Sequence, residues 1–120
     1  MNICWITIHV SNMAESLKFY TQIMGLTISR QFSPQPGIEI SFLNGGNTQL
    51  ELIHDSGKQN ISYGEHISLG FQVKSLNKKI EDLKNKGIRS IIGPISPTPN
   101  VSFIYITDPN GLKLQIVEEK

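Results

Sequence analysis

Residues 5–10 read WITIHV and residues 66–73 read HISLGFQV, and each run leads into a helical pattern that ends at a glycine, Gly25 or Gly87. The distance from the start of the run to that glycine differs by only one residue between the two segments. A repeat of this kind within 120 residues predicts two similar units related by a pseudo-twofold axis.

The ends of the two segments also match. Residues 47–53 and residues 111–117 both alternate polar and apolar side chains after a turn. Two pairs of equivalent positions follow from this alignment: Trp5 with His66, and Glu51 with Gln115. These four residues are therefore the first place to look for a functional site.

The composition is that of an ordinary globular protein. The chain is 38% hydrophobic and carries a formal net charge of +1, so no strong field attracts nucleic acid or an anionic membrane. No apolar run approaches the roughly 20 residues that span a bilayer, and no secretory signal is visible. The one cysteine, Cys4, excludes an internal disulfide, and we expect its thiol to be buried. These features predict a cytoplasmic protein.

Period-two alternation predicts a first strand with two different faces. One face is apolar and the other is mixed: Ile6, Ile8 and Val10 lie on the first, and Trp5, Thr7 and His9 on the second. Asn12 is a predicted N-cap for the helix that follows, with Glu15 three residues further on, and Gly25 suits its C-terminus.

The spacing of apolar residues and the turn residues between them predict a β-α-β-β-β order in each unit. The predicted helices are 13–24 and 76–86. The predicted strands are 3–10, 27–32, 38–44, 48–54, 66–73, 88–92, 101–107 and 112–118. Residues 93–100 contain three prolines and are predicted to form a loop. The predicted fold is α+β, with two βαβββ modules forming curved mixed sheets around a cleft and both helices outside.

We expect one domain over residues 1–120, with module 1 at about 1–55, a polar linker at 56–65 and module 2 at about 66–120. The strand faces opposite the apolar rows are expected to enclose a ligand-binding cleft. Its predicted lining is Trp5, Thr7, His9, Glu51, His66, Ser68 and Gln115. This prediction depends on strand parity, because a slip of one residue moves every side chain to the other face.

Six short motifs resemble the vicinal oxygen chelate superfamily, which includes glyoxalase I, extradiol dioxygenases and bleomycin-resistance proteins. The motifs are VSN at 10–12, SLKFY at 16–20, MGL at 24–26, QLEL at 49–52, GEHISL at 64–69 and DPNGLKLQ at 108–115. The resemblance extends over essentially the whole chain and implies the paired βαβββ fold. It does not name a reaction, because one fold supports many functions.

The resemblance also implies where a metal would bind. In the glyoxalase I pattern the ligands are His or Gln, Glu, His and Glu, which fall here on Trp5, Glu51, His66 and Gln115. An indole N–H is only a donor, so Trp5 cannot ligate a metal, and the neutral amide of Gln115 is a weak ligand. Since catalytic metals generally have about three protein ligands, we expect no cofactor. The alternative is a divalent metal (Zn, Ni or Mn) held by Glu51, His66 and Gln115.

Three classes of function are open at this point. The first is a metal-independent protein that binds a small molecule in the cleft, with the Trp5 ring available for stacking. The second is a glyoxalase-like metal-dependent lyase or isomerase, in which Glu51 is the catalytic base. The third is a structural or regulatory domain with a vestigial cleft.

The expected partners are a small-molecule ligand and a second copy of the chain. We predict a homodimer because the outer strand edges and the cleft faces would otherwise stay open. Neither nucleic acid nor a membrane is an expected partner. The identity of the ligand, and whether the modules pair within one chain or exchange between chains, are not encoded in any recognisable pattern.

Overall fold

The computed structural model of the chain describes residues 1–58 and 60–120, and over these residues the β-α-β-β-β order occurs twice. The first half contains β1 Trp5–His9, α1 Met13–Lys18, β2 Thr27–Gln35, β3 Ile38–Gly45 and β4 Thr48–Asp55. The second half contains β5 Ser68–Gln72, α2 Leu76–Asn85, β6 Ile92–Thr98, β7 Val101–Thr107 and β8 Lys113–Glu119. A π-helical turn, Phe19–Ile23, continues α1. The predicted α+β class with βαβββ modules is confirmed.

The chain divides into two compact units, Met1–Ser62 (unit 1) and Tyr63–Lys120 (unit 2). The predicted linker at 56–65 contains Gln59, which lies outside the described residues. Unit 1 has a sheet in the order β1-β4-β3-β2, and unit 2 has one in the order β5-β8-β7-β6. β1 pairs with β4 in parallel, and β5 pairs with β8 in parallel. The other neighbouring strands are antiparallel. Over the described residues, neither helix is long and apolar enough to cross a lipid bilayer.

The register of β1 and β4 places both apolar rows on one face of the first sheet. Ile8 is level with Leu52, and Leu50 lies two residues before Leu52 on the same face. All three side chains are buried. The helical segment packs against β4 and covers this face with its own buried residues, Met13, Phe19 and Tyr20. Removal of this apolar surface from water is the main force that holds unit 1 together.

The N-terminus of α1 is capped as the sequence predicts. The backbone N–H of Glu15 donates to the Asn12 side-chain oxygen at 2.9 Å, and Asn12 itself has extended backbone angles. This bond satisfies one of the N–H groups that a helix start leaves without a partner.

Unit 2 is built in the same way. Its apolar face consists of alternate residues of two central strands, all buried: Ile104, Ile106, Leu114 and Ile116. The α2 helix packs against β8 on this side. Ser75 caps α2 by accepting from the N–H of Lys78 at 3.3 Å, and the Glu118 carboxylate accepts from the N–H of Leu76 at 2.7 Å.

One strand prediction and one loop prediction in unit 2 are wrong. The strand predicted at 88–92 and the loop predicted at 93–100 are replaced by β6, Ile92–Thr98. This is an edge strand whose pairing with β7 is irregular. The prolines indicated a loop, but an edge strand accepts proline wherever its N–H would face away from the ladder.

The start of each first strand also differs from the prediction. Cys4 precedes β1 and is exposed, not buried. His66 lies in a bend before β5, which begins at Ser68. The alternation of polar and apolar residues continues beyond the hydrogen-bonded part of each strand. The strands predicted from it, 3–10 and 66–73, are therefore longer than β1 and β5.

The strand registers correct the alignment of the two repeats. Thr7 of β1 is level with Glu51, and Gly70 of β5 is level with Gln115. If Glu51 and Gln115 are equivalent, then Thr7 and Gly70 are equivalent as well.

Trp5 lies two residues before Thr7, and Ser68 lies two residues before Gly70. Trp5 is therefore equivalent to Ser68 and not to His66. The helix caps Asn12 and Ser75 have the same spacing along the chain as this pair. Unit 1 has one residue more than unit 2 between its cap and the glycine that follows the helix. The π-helical turn Phe19–Ile23 accounts for it, because a π turn accommodates an inserted residue within a helix.

The Asn12 cap gives a test of this local structure. We expect Asn12→Ala to lower the free energy of unfolding by about 1 kcal/mol, because the N–H of Glu15 loses its acceptor. Urea unfolding followed by far-ultraviolet circular dichroism measures the change. The matched control is Asn12→Asp, which keeps the acceptor and should unfold close to the wild type. An unchanged midpoint for Asn12→Ala would contradict the capping role.

Candidate functional site

The face of the first sheet opposite α1, called here the helix-free face of unit 1, carries three rows of side chains. Each row crosses the strands in the order β1, β4, β3 and β2, and its members follow from the strand registers. The rows are Trp5, Gln49, Asn44 and Thr27; then Thr7, Glu51, Phe42 and Arg30; then His9, Ile53, Ile40 and Phe32.

Trp5 and Phe42 form the aromatic centre of this face. Their ring centroids are 5.6 Å apart, and the ring planes are nearly perpendicular at 86°. Phe42 is only 2% exposed, whereas Trp5 is 48% exposed. The edge contact therefore holds the indole in place and leaves about half of its surface available to a ligand.

Arg30 and Phe32, both on the edge strand β2, cover the other side of Phe42. The Arg30 guanidinium carbon lies 4.2 Å from the Phe42 ring centroid and 5.8 Å from that of Phe32. The two phenyl rings are roughly parallel, with centroids 6.4 Å apart. Cation–π attraction at these distances favours this position of the guanidinium over the Phe42 ring.

Glu51 supplies a carboxylate in the middle of the face. The Thr7 hydroxyl donates to its Oε1 atom at 2.5 Å, and the two residues are level on adjacent strands. Glu51 is partly buried. The hydrogen bond orients the carboxylate and leaves Oε2 able to accept from a ligand.

The histidines of unit 1 lie on opposite faces. His9 is in the third row, on the same face as Thr7, at a distance of roughly 7 Å along the strand. His54 lies on the other side, where its Nδ1 is 3.1 Å from the Val10 carbonyl oxygen. The tautomer with a proton on Nδ1 donates there, so His54 has a structural partner away from the helix-free face.

The equivalent row of unit 2 has different chemistry. It consists of Gly70, Gln115, Tyr105 and Ile92. The Gln115 amide nitrogen is 3.5 Å from the Tyr105 hydroxyl, and the Lys113 ammonium lies 5.1 Å from the Tyr105 ring centroid. This row therefore has an amide and a phenol where unit 1 has a carboxylate and a phenyl ring.

The other two predicted site residues of unit 2 are exposed. Ser68 begins β5 level with Lys113, and His66 lies in the bend before that strand. Ser68 shares a face with Gln115 by strand parity, but the ladder does not define the direction of His66. That His66, Ser68 and Gln115 line one site together with the residues of unit 1 stays a prediction.

The donor set does not fit a tightly held catalytic metal. Of the four positions implied by the resemblance, one has an indole and one has a neutral amide that already contacts Tyr105. The repeat register also moves the position equivalent to Trp5 from His66 to Ser68. Within either unit, no three His, Cys, Asp or Glu residues among those described lie close enough to hold an ion. Among the positions matched by register, only Glu51 then has a strong ligand, and the His66 imidazole lies outside the β5 ladder.

In unit 2, the Tyr63 phenol has a perturbed pKa. Burial raises the pKa of the Tyr63 phenol, and the negative charge of Asp108 raises it further. Asp108 is itself buried, and its carboxylate accepts from the N–H groups of Asn110 and Leu112 at 2.8 Å. The phenol therefore stays protonated, and this cluster stabilises the β7–β8 turn.

A shallow groove of about 300 Å³ lies along β2 and β3 in unit 1. Its lining is Met13, Gln31, Phe32, Ser33, Glu39, Ile40 and Ser41. Gln31 donates to the Ser41 hydroxyl at 3.0 Å, and Ser33 donates to the backbone. Because these polar groups satisfy one another, we place the candidate site on the helix-free face and not in this groove.

Phe42, Arg30 and Phe32 are on the helix-free face but are not among the site residues predicted from the sequence. A signal for Phe42 was present: the turn at 44–47 pairs Gly45 with Thr48, and this register places Phe42 opposite Glu51. The positions on β2 could not be found in this way, because β-bulges shift its register against β3 twice.

Known proteins resemble the chain over nearly its whole length. The family model of the Glyoxalase/Bleomycin resistance protein/Dioxygenase superfamily matches residues 2–116. Human mitochondrial methylmalonyl-CoA epimerase is 31% identical, over 92% of this chain and 70% of that protein. A probable lactoylglutathione lyase from Synechocystis sp. is 29% identical, over 92% of this chain and 90% of that protein.

A solved structure has the same fold. TnmS3, an antibiotic-binding protein from Streptomyces sp. CB03234, superposes with a TM-score of 0.80 at 17% sequence identity, covering 100% of this chain and 97% of that one. At this identity the likeness establishes the fold alone. The family match, in contrast, extends through both βαβββ modules. The chain belongs to the Glyoxalase/Bleomycin resistance protein/Dioxygenase superfamily.

Proposed function

We propose that the protein binds a planar small molecule on the helix-free face of unit 1, without a catalytic metal. The observation that carries this proposal is the position of Trp5. Its indole is held edge-on by the buried Phe42 and is about half exposed, at the place where the family resemblance implies a metal ligand. A rigid, exposed aromatic side chain in a polar surrounding is typical of a stacking site.

The polar groups of the face support recognition of a ligand. Thr7 orients the Glu51 carboxylate, which can accept a hydrogen bond from a bound molecule. His9 adds a second polar group on the same face. From unit 2 we include His66, Ser68 and Gln115 in the proposed ligand-binding set.

The names of related proteins support two different functions. TnmS3 is an antibiotic-binding protein, which is consistent with binding in the absence of chemistry. The epimerase and the probable lyase favour a second candidate, an isomerase or lyase in which Glu51 is the base and a divalent metal binds Glu51, His66 and Gln115. We prefer the first because indole cannot ligate a metal and the amide of Gln115 is a poor replacement for a carboxylate.

Stacking on Trp5 can be tested with a matched pair of compounds. We expect the wild type to bind planar 2-naphthol about tenfold more tightly than decahydro-2-naphthol, because only the planar rings stack on the indole. Isothermal titration calorimetry measures both affinities. In Trp5→Leu the preference for the planar compound should disappear. Equal affinities for the two compounds in the wild type would argue against a stacking site.

Metal content separates the two candidate functions. We expect protein purified without added metal to contain substoichiometric zinc, nickel and manganese, and to bind added zinc weakly, because Glu51 lacks enough strong co-ligands. Trp5→His adds an imidazole on the same face as Glu51 and should increase zinc affinity. Elemental analysis and calorimetry measure both quantities. One tight metal per chain in the wild type, lost in Glu51→Gln, would instead favour the enzyme.

We also propose that the protein is a homodimer. Large apolar side chains are exposed on one edge strand of each sheet, β2 in unit 1 and β6 in unit 2. They are Ile28 and Phe32 on β2, and Ile92 and Ile95 on β6. Edge strands with exposed apolar residues are usually covered in a stable protein. A second copy of the chain provides a symmetric partner for them.

The dimer proposal predicts a mass of two chains at micromolar concentration. Sedimentation velocity measures it, and Ile95→Glu should shift the protein towards the monomer, because it places a charge on an apolar edge. The matched control is Ser90→Glu, which adds the same charge at an exposed position outside the strands. A wild-type monomer over this concentration range would exclude the homodimer.

A further inference from the structure

Arg30 is held in place on the helix-free face but has no polar partner there. Its guanidinium lies against the rings of Phe42 and Phe32. It forms no hydrogen bond or ion pair with any other described residue. Arg30 is an exposed residue, so its N–H groups are available to an acceptor from solution.

The chemistry of this group selects the acceptor. A guanidinium presents its N–H donors in a planar fork, which matches the two oxygens of a carboxylate. An aryl carboxylate is conjugated with its ring and is flat. It can therefore lie along the same sheet face as an aromatic system that stacks on Trp5.

Glu51 defines the other end of the ligand. Arg30, Phe42 and Glu51 occupy one row on three consecutive strands, so the backbones of Arg30 and Glu51 are roughly 10 Å apart. Because Thr7 already donates to one oxygen of Glu51, the other oxygen suits an O–H or N–H donor and repels an anion. The face is positive at one end of the row and negative at the other.

Building on the proposed function, we propose that this face binds a planar aromatic carboxylate, with the carboxylate on Arg30 and a hydroxyl or amino group on Glu51. Phe42 is the buried ring that supports both Arg30 and Trp5 from below, and Trp5 is the exposed stacking ring in the adjacent row. The ligand is thus polar at both ends and apolar in the middle, and it has one orientation.

Unit 2 does not repeat this arrangement. Its equivalent row has Ile92 where unit 1 has Arg30, and Gln115 where unit 1 has Glu51. The cation of unit 2 that contacts a ring, Lys113, stands on a different strand. The charge pattern across the row is therefore a property of unit 1, not a general property of the repeat.

The test uses 6-hydroxy-2-naphthoate and two relatives of it. The first relative is 6-hydroxy-2-naphthamide, which lacks the charge, and the second is 2-naphthoate, which lacks the donor. Trp5 is the single tryptophan of the chain, so quenching of its fluorescence reports binding at this face. The proteins are the wild type, Arg30→Met, Arg30→Lys, Glu51→Gln and a control. The control is Arg89→Met, which removes the same charge as Arg30→Met from an exposed position outside the strands.

We expect the wild type and Arg89→Met to bind the naphthoate about tenfold more tightly than the naphthamide, since the carboxylate accepts charge-assisted hydrogen bonds. In Arg30→Met this preference should vanish while the naphthamide affinity is retained, and Arg30→Lys should restore part of it. The wild type should bind 2-naphthoate more weakly than 6-hydroxy-2-naphthoate, because Glu51 loses its donor. In Glu51→Gln the difference between these two compounds should be smaller.

Three outcomes would overturn the proposal. Equal binding of naphthoate and naphthamide by the wild type, or a preference that survives in Arg30→Met, would remove Arg30 as the anion site while leaving the stacking function intact. Failure of all three compounds to quench Trp5, in protein that still binds 2-naphthol, would show that a ligand of this class does not fit. Failure of 2-naphthol as well would overturn the proposed function itself.

Discussion

The parallel pairing of β1 with β4 is the constraint on which the rest of unit 1 depends. Its register makes Ile8 level with Leu52 and Thr7 level with Glu51. The first pair is buried under the helical segment, and the second is therefore directed to the opposite face, where a hydroxyl and a carboxylate can meet. A slip of one residue would bury Glu51 beneath the helix at a large desolvation cost. Burial of the apolar row thus also determines which polar groups face a ligand.

The two units show how a duplicated scaffold can carry different chemistry. Both have a capped helix, a mixed four-stranded sheet and a buried apolar row. They differ on the helix-free face, where Glu51 and Phe42 of unit 1 correspond to Gln115 and Tyr105 of unit 2. Neither difference affects the apolar face, since alternate residues of a strand point in opposite directions. The residues on the face opposite the helix could therefore differ between the units, while the apolar core that stabilises each unit is similar.

Membership of the superfamily explains the fold better than it explains the site. The motifs that carry the resemblance are caps, turns and apolar rows, which any member needs in order to fold. The ligand positions lie on the other side of the strands and are free of that requirement. Here the four positions implied by the resemblance hold an indole, a carboxylate, an imidazole and an amide. The indole cannot ligate a metal, and the amide is a weaker ligand than a carboxylate. The cation–π contact of Arg30 with Phe42 adds a charge that no motif of the resemblance contains.

The sequence by itself determined the βαβββ order, both helices, the Asn12 cap and the two faces of β1. These features depend on local periodicity and on hydrogen bonds between neighbours in the chain. It did not determine which residues of the two repeats are equivalent. The similar spacing from Trp5 to Gly25 and from His66 to Gly87 suggested one alignment. The ladders, with a π turn in one copy, impose another. Nor could it show that Arg30 reaches Phe42, since bulges in β2 break simple parity. Only the tertiary structure decides such matters, because register across strands is fixed by contacts between residues that are far apart in the chain.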